Sequence, residues 1–127
     1  MRSETHAVSW DHSEPVDRPR TVDRDEAFGA VHTVLGRKWH LRIIYHLLTD
    51  GSMGFSRLKE SIEGVSPKML SESLSTLETQ ALIDRDIVNE QPVRVEYSLT
   101  DSGRALEPAV ESLLRWAATD GIPRGEA

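Results

Sequence analysis

Pro92-Val93-Arg94-Val95-Glu96-Tyr97-Ser98-Leu99-Thr100 runs without slack into Asp101-Ser102-Gly103-Arg104-Ala105-Leu106. Val93, Val95, Tyr97 and Leu99 alternate onto one face, the period of a half-buried strand. Thr100 then stands where a helix cap belongs. Just upstream, Leu82-Ile83-Asp84-Arg85-Asp86-Ile87-Val88 reads as the antiparallel partner, and Asn89-Glu90-Gln91-Pro92 as the tip of the hairpin. A β-ribbon closed by a helix is the expectation for this region.

The chain ahead of the ribbon gives that ribbon its meaning. Ser66 is a good N-cap, and Pro67 sits at the first helical position, where its missing N–H costs nothing. Leu70, Leu74, Leu77 and Ala81 follow at helical spacing as a buried stripe, which predicts a helix from Pro67 to about Gln80. Phe55, Leu58 and Ile62 predict a shorter helix from Ser56 to Ile62, closed by the turn Glu63-Gly64-Val65. Two short helices, a ribbon and a closing helix in this order are the layout of a winged helix-turn-helix. The predicted fold is mainly α with a small antiparallel β-hairpin, a layout that points to reading DNA.

Working outward, Ala27, Phe28, Val31, Val34 and Leu35 form an amphipathic helix with acidic residues in its first turn. Gly36 interrupts it. Trp39, Ile43 and Leu47, with Leu41, Ile44, Tyr45 and Leu48, make a second helix that is apolar nearly all round and therefore buried. Beyond Thr100, Leu106, Val110, Leu113, Leu114 and Ala117 keep one helical stripe, with Trp116 off its centre. Residues 1–22 are polar and broken by Pro15 and Pro19, which reads as a disordered arm. Residues 23–119 form the domain, and residues 120–127, with Gly121, Pro123 and Gly125, a flexible tail.

The 127 residues suffice for one modest core. No apolar run is long enough for a membrane span and the start lacks a signal peptide, so the chain is read as soluble and cytoplasmic. With no cysteine, disulfides, thiolate zinc sites and thiol redox sensing are excluded. His32, His40 and His46 show no i, i+4 zinc spacing and no acidic residue completes a set, so no metal and no cofactor is expected. No strained nucleophile turn with a base and an orienter is present, which argues against catalysis. The net charge of −6 is odd for a DNA binder, whose usual signature is basic. Positive charge is local: Arg37, Lys38, Arg42, Arg57 and Lys59 face only Asp50 in that stretch.

In a helix-turn-helix the second helix enters the major groove, its N-terminal residues nearest the base edges. With the leucines turned inward, Lys68, Met69, Ser71, Glu72 and Ser75 make the outward face. Lys68 is the candidate for guanine, Glu72 could accept from cytosine, and Ser71 and Ser75 can serve bases or phosphates. Ser66 can place its hydroxyl and backbone N–H on a phosphate. Ser56 and Arg57 open the first helix of the motif and are expected at DNA with it. Lys38 is a further phosphate anchor. On the ribbon, Arg85 and Arg94 can reach phosphates or the minor groove, and Gln91 near the tip can touch sugar or base. Arg94 is read as a DNA contact in preference to an ion pair with Glu96 on the same strand face. Against these, Asp84, Asp86, Glu90 and Glu96 make the ribbon net negative. The alternative reading is therefore a winged-helix protein-interaction module with little DNA affinity.

At this point the sequence resembles the HxlR-type family of winged-helix regulators within the MarR-like superfamily. The matching pieces are Leu35-Gly36-Arg37-Lys38-Trp39, Phe55-Ser56-Arg57-Leu58, Val65-Ser66-Pro67-Lys68-Met69-Leu70 and Leu74-Ser75-Thr76-Leu77-Glu78. Ala81-Leu82-Ile83-Asp84-Arg85 and Pro92 to Thr100, with Gly103 and Leu106, complete the set. The resemblance implies a homodimeric, sequence-specific regulator of transcription, repressor or activator, bound to an inverted-repeat operator in double-stranded DNA. It implies N- and C-terminal dimerisation helices, a role that falls to Ala27, Phe28, Val31 and His32 with Leu106, Val110, Leu113, Leu114 and Trp116. The apolar excess of these helices fits independently, since a small domain cannot cover both faces itself. Two departures stand out. Family members often carry a cysteine just before the first helix, where this chain has Glu26, and more basic residues on the helix that here carries Glu72 and Ser75. The sequence names no small-molecule effector.

Overall fold

The structure, a computed structural model, describes residues 23–123. The predicted arm therefore lies outside the described residues, as does the tail beyond Pro123. The chain divides into two units between Arg37 and Lys38. The first contributes helix α1, Arg24–Leu35. Asp23 caps it, its carboxylate accepting from the Asp25 amide at 3.4 Å, and the Gly36 N–H donates to the His32 carbonyl at its end. Val34 is buried, whereas Phe28, Val31 and Leu35 are exposed.

The second unit runs in the order α2 (His40–Asp50), β1 (Met53–Gly54), α3 (Phe55–Ser61), α4 (Pro67–Thr79), β2 (Ile83–Glu90), β3 (Val93–Leu99), α5 (Asp101–Arg104) and α6 (Glu107–Trp116). A π-helical turn, Ala117–Gly121, ends it. Helix α2 is the hub and touches α3, α4, β3 and α6. Its Ile43, Ile44 and Leu47 meet a core that also holds Met53, Leu58, Ile62, Leu70, Leu74, Leu77, Ile83 and Val110.

Three expectations are corrected. The sheet has three strands, not two: β1 pairs antiparallel with β3, Met53 opposite Tyr97 and Gly54 opposite Glu96. Two residues after the Asp50-Gly51-Ser52 turn are too short to show a period, so nothing in the sequence announced them. Ala81 is exposed and outside the helical stripe, because the chain leaves α4 at Gln80 and Ala81 takes φ +62°. The last helix is broken. Thr100 caps only the short α5, and a new helix starts at Glu107 with Pro108 in its first turn, a place that suits proline's missing N–H.

The junction between ribbon and α5 is tightly tied. The Thr100 hydroxyl donates to the Ala81 carbonyl at 2.8 Å and accepts from the Gly103 amide at 3.1 Å. Arg104 donates to the Leu99 carbonyl at 2.8 Å and pairs with Asp101 at 2.6 Å. A Cβ on Gly103 would overlap the Leu82 carbonyl oxygen, so only glycine allows this approach.

Candidate nucleic-acid interface

Helices α3 and α4 are joined by Ile62–Ser66, where Ile62 and Val65 turn into the core. Gly64 in this turn has φ +87°, a conformation that glycine adopts without a Cβ penalty. The Ser66 Oγ accepts from the Met69 amide at 3.0 Å, which satisfies one of the four unpaired N–H groups of the first turn. That hydroxyl therefore serves as the cap, and its own proton is what remains for a phosphate. Leu70, Ser73, Leu74 and Leu77 hold the inner face of α4. This leaves Lys68, Met69, Ser71, Glu72 and Ser75 together on the exposed side, as the spacing of the leucines predicted.

On α3, Ser56 and Arg57 are exposed. Lys38 is more defined than its sequence suggested. Its ammonium lies 4.8 Å from the centroid of the Trp39 ring, a cation–π contact. The far edge of the same ring lies against Gly64, where an added Cβ would be 3.7 Å from it. Trp39 thus brings the Lys38 charge toward the helix-turn-helix turn. The sequence marks Lys38 as a phosphate anchor and Trp39 as part of the apolar stripe of its helix, and only three-dimensional packing shows the ring lying between Lys38 and Gly64.

The ribbon places its residues differently from the expectation. Ile83, Arg85 and Ile87 stand opposite Leu99, Tyr97 and Val95, while Asp84 and Asp86 stand opposite Ser98 and Glu96. The register slips at Val88, so that Asn89 meets Arg94 and Glu90 meets Val93. The tip is consequently only Gln91-Pro92, shorter than the four-residue tip expected, because strand pairing continues through Glu90. Arg85 and Arg94, read together as wing contacts, lie on opposite faces of the ribbon and cannot act as one charged surface. Neither forms an ion pair among the described residues, so the Arg94–Glu96 pairing is absent. Asp86 directly opposite Glu96 is a like-charge pair of the kind that weakens a sheet. Ile87, Val88 and Val93 are exposed near the tip, Val93 to 66%.

Among the residues assigned to an interface between copies, Phe28 is 65% and Trp116 58% exposed, and Val31, Leu113 and Leu114 are exposed as well. His32 is exposed, and Ala27 and Leu106 are half-buried. Val110 is corrected. At 2% exposure it belongs to the chain's own core, because α6 packs against α2 and Val110 is the side chain of α6 that is buried. Among the described residues no helix is long and apolar enough to cross a membrane, and no group of three His, Cys, Asp or Glu side chains is placed to hold a metal.

Residues 34–123 match the model of the HxlR-like helix-turn-helix family, a stretch that takes in α2, both helices of the motif, the ribbon and α6. The chain belongs to the HxlR-like family. It is 38% identical over 91 residues to the HTH-type transcriptional regulator YdzF of Bacillus subtilis, covering 72% of this chain and 84% of that one. Among solved structures, a putative HTH-type transcriptional regulator, ytcD, superposes with a TM-score of 0.66 at 37% identity, covering 72% of this chain and 92% of that one. The redox regulator HypR in its reduced form gives a TM-score of 0.69 at 30% identity, covering 76% and 94%. As a member of this family the chain is a DNA-binding transcriptional regulator, and its relatives are regulators rather than enzymes. HypR has been solved in reduced and oxidised forms. The 127 residues here hold no cysteine, so no thiol couple is available to them.

Proposed function

We propose that this HxlR-like regulator works in the cytoplasm as a homodimer that binds an inverted-repeat operator. Each copy would set α4 in a major groove and its ribbon on the flanking backbone. Half-sites would lie about one helical turn, roughly 10 bp, or a multiple apart. The observation that carries this reading is the division of α4 into an inner face locked in the core and an outer, largely polar face that is exposed. Lys68 and Glu72 supply the base-reading chemistry, with Ser71 and Ser75 beside them. Ser66, Ser56, Arg57 and Lys38 hold phosphates around the turn. Arg94 and Gln91 are the ribbon's contacts, and Arg85 on the other face is a minor one.

The exposed apolar side chains of α1 and of α6 support the dimer. Phe28 and Val31 on one helix, and Leu113, Leu114 and Trp116 on the other, are the side chains a second copy would bury. The acidic ribbon favours a narrower alternative, in which the wing meets protein while α4 alone meets DNA. Light scattering after gel filtration should give twice the mass of one chain. Fluorescence anisotropy with promoter fragments at several salt concentrations should show affinity falling as salt rises, with a slope set by the phosphates contacted. A monomer, or no complex at any salt, would overturn the proposal.

A further inference from the structure

Beyond Lys68, the outward face of α4 is poor in the side chains that most often read bases in the major groove. Lys68, Met69, Ser71, Glu72 and Ser75 include no arginine for a bidentate guanine contact, and no asparagine or glutamine for adenine. Yet an apolar side chain sits among them. Met69 is 39% exposed in the first turn of α4, while the leucines after it are buried. Its backbone is held by the Ser66 cap at 3.0 Å, so the base of the side chain is fixed where it leaves the helix. Glu72 lies one turn further on, next to it on the helix surface.

An apolar group exposed at this place has one natural counterpart in the major groove, the C5 methyl of thymine, which is the groove's only apolar feature. The unbranched thioether of methionine adapts its shape to such a contact. We propose that Met69 is a specificity-determining residue that packs on a thymine methyl in each half-site, beside the base pair met by Glu72. This rests on the reading that α4 enters the major groove. It adds that part of the sequence preference is carried by a methyl group rather than by hydrogen bonds.

The test uses the full chain and duplex selected by it from a random library. In the selected duplex each thymine is replaced in turn by deoxyuridine, which removes only the methyl. One thymine per half-site should then weaken wild-type binding about fourfold, the effect of one methyl group left in water. Met69→Ala, which loses the contact in both copies of the dimer, should bind the thymine duplex about sixteenfold more weakly and be indifferent to uracil at that position, while Met69→Leu should keep the preference. Circular dichroism checks that the variants fold, as expected for an exposed position.

The proposal fails if no thymine shows the effect, or if Met69→Ala responds to uracil as the wild type does. Methylating cytosines in the duplex should leave affinity unchanged. Tightening there in the wild type but not in Met69→Ala would move the contact to 5-methylcytosine and overturn the assignment to thymine. Failure to select any DNA would overturn the placement of α4 as well, whereas selection without a uracil effect overturns the role of Met69 alone.

Discussion

Helix α4 and the β2–β3 ribbon both project from the same small core, but they are held in different ways. Four side chains of α4 are buried, and its start is capped by Ser66. The ribbon is held at its base and, on the β3 side, by β1 as far as Glu96, but not toward its tip. Ile83 and Leu99 are buried at the base, while every residue of β2 after Ile83 is exposed. A side chain on α4 is therefore placed rigidly, whereas one near Gln91 is carried on a lever. Charge follows the same division. The ribbon sets two arginines, on opposite faces, against Asp84, Asp86, Glu90 and Glu96, so its electrostatic contribution to binding is small or adverse. Sequence reading should reside in the helix, and the ribbon should tune affinity.

The largest effect expected from this contrast is on stability. Leu74→Ala should cost about 2–5 kcal/mol, because the cavity it leaves lies where α4 meets the core. Ile87→Ala, on the ribbon, should change stability by less than about 0.5 kcal/mol. Urea denaturation of both variants checks this, and comparable losses would mean that the ribbon is anchored toward its tip as well.

On DNA, Lys68→Ala should cost about 1–3 kcal/mol and relax preference at one base pair. Arg94→Ala should cost less, equally on all sequences, and lower the salt slope by about two units, one for each copy of the dimer. Anisotropy titrations on matched and mismatched duplexes separate the two. A base-specific loss from Arg94→Ala would break the division of labour. Smaller again, Ser66→Ala removes the cap that accepts from the Met69 amide and should cost about 1 kcal/mol of stability.

The same contrast explains what could be read in advance. Helix α4 was legible because each of its signals is local: a capping serine, a proline at the first position, and leucines at helical spacing. The ribbon's strands were legible from the alternation of Val93, Val95, Tyr97 and Leu99. Its bulge at Val88 was not, and the bulge decides which side chains share a face beyond it. Met53-Gly54 escaped because a two-residue strand is specified by its neighbour Tyr97 rather than by its own period. Val110 was misassigned because helical spacing puts it in the apolar stripe of α6, without saying which part of that stripe the core covers. Pro108 was the available signal for the helix break. The approach of the Trp39 ring edge to Gly64 joins distant segments and has no counterpart in spacing.

The smallest effect tests whether the ribbon's charge restrains binding. Asp86 and Glu96 stand directly opposite each other, and cross-strand like charges destabilise a sheet by an amount on the order of a few tenths of a kcal/mol. Asp86→Asn keeps the shape of the side chain and removes one of the two charges. Folding should therefore become slightly more favourable, seen as a rise in Tm. The same change removes a negative charge from an element that lies near phosphates in the proposed complex, so DNA binding should tighten at low salt. Both gains should shrink as ionic strength rises and the Debye length falls from about 10 Å at 0.1 M to about 3 Å at 1 M. A gain in Tm without a gain in affinity would leave the like-charge strain in place but set the wing away from the duplex. That outcome would favour the alternative in which this acidic ribbon meets a protein.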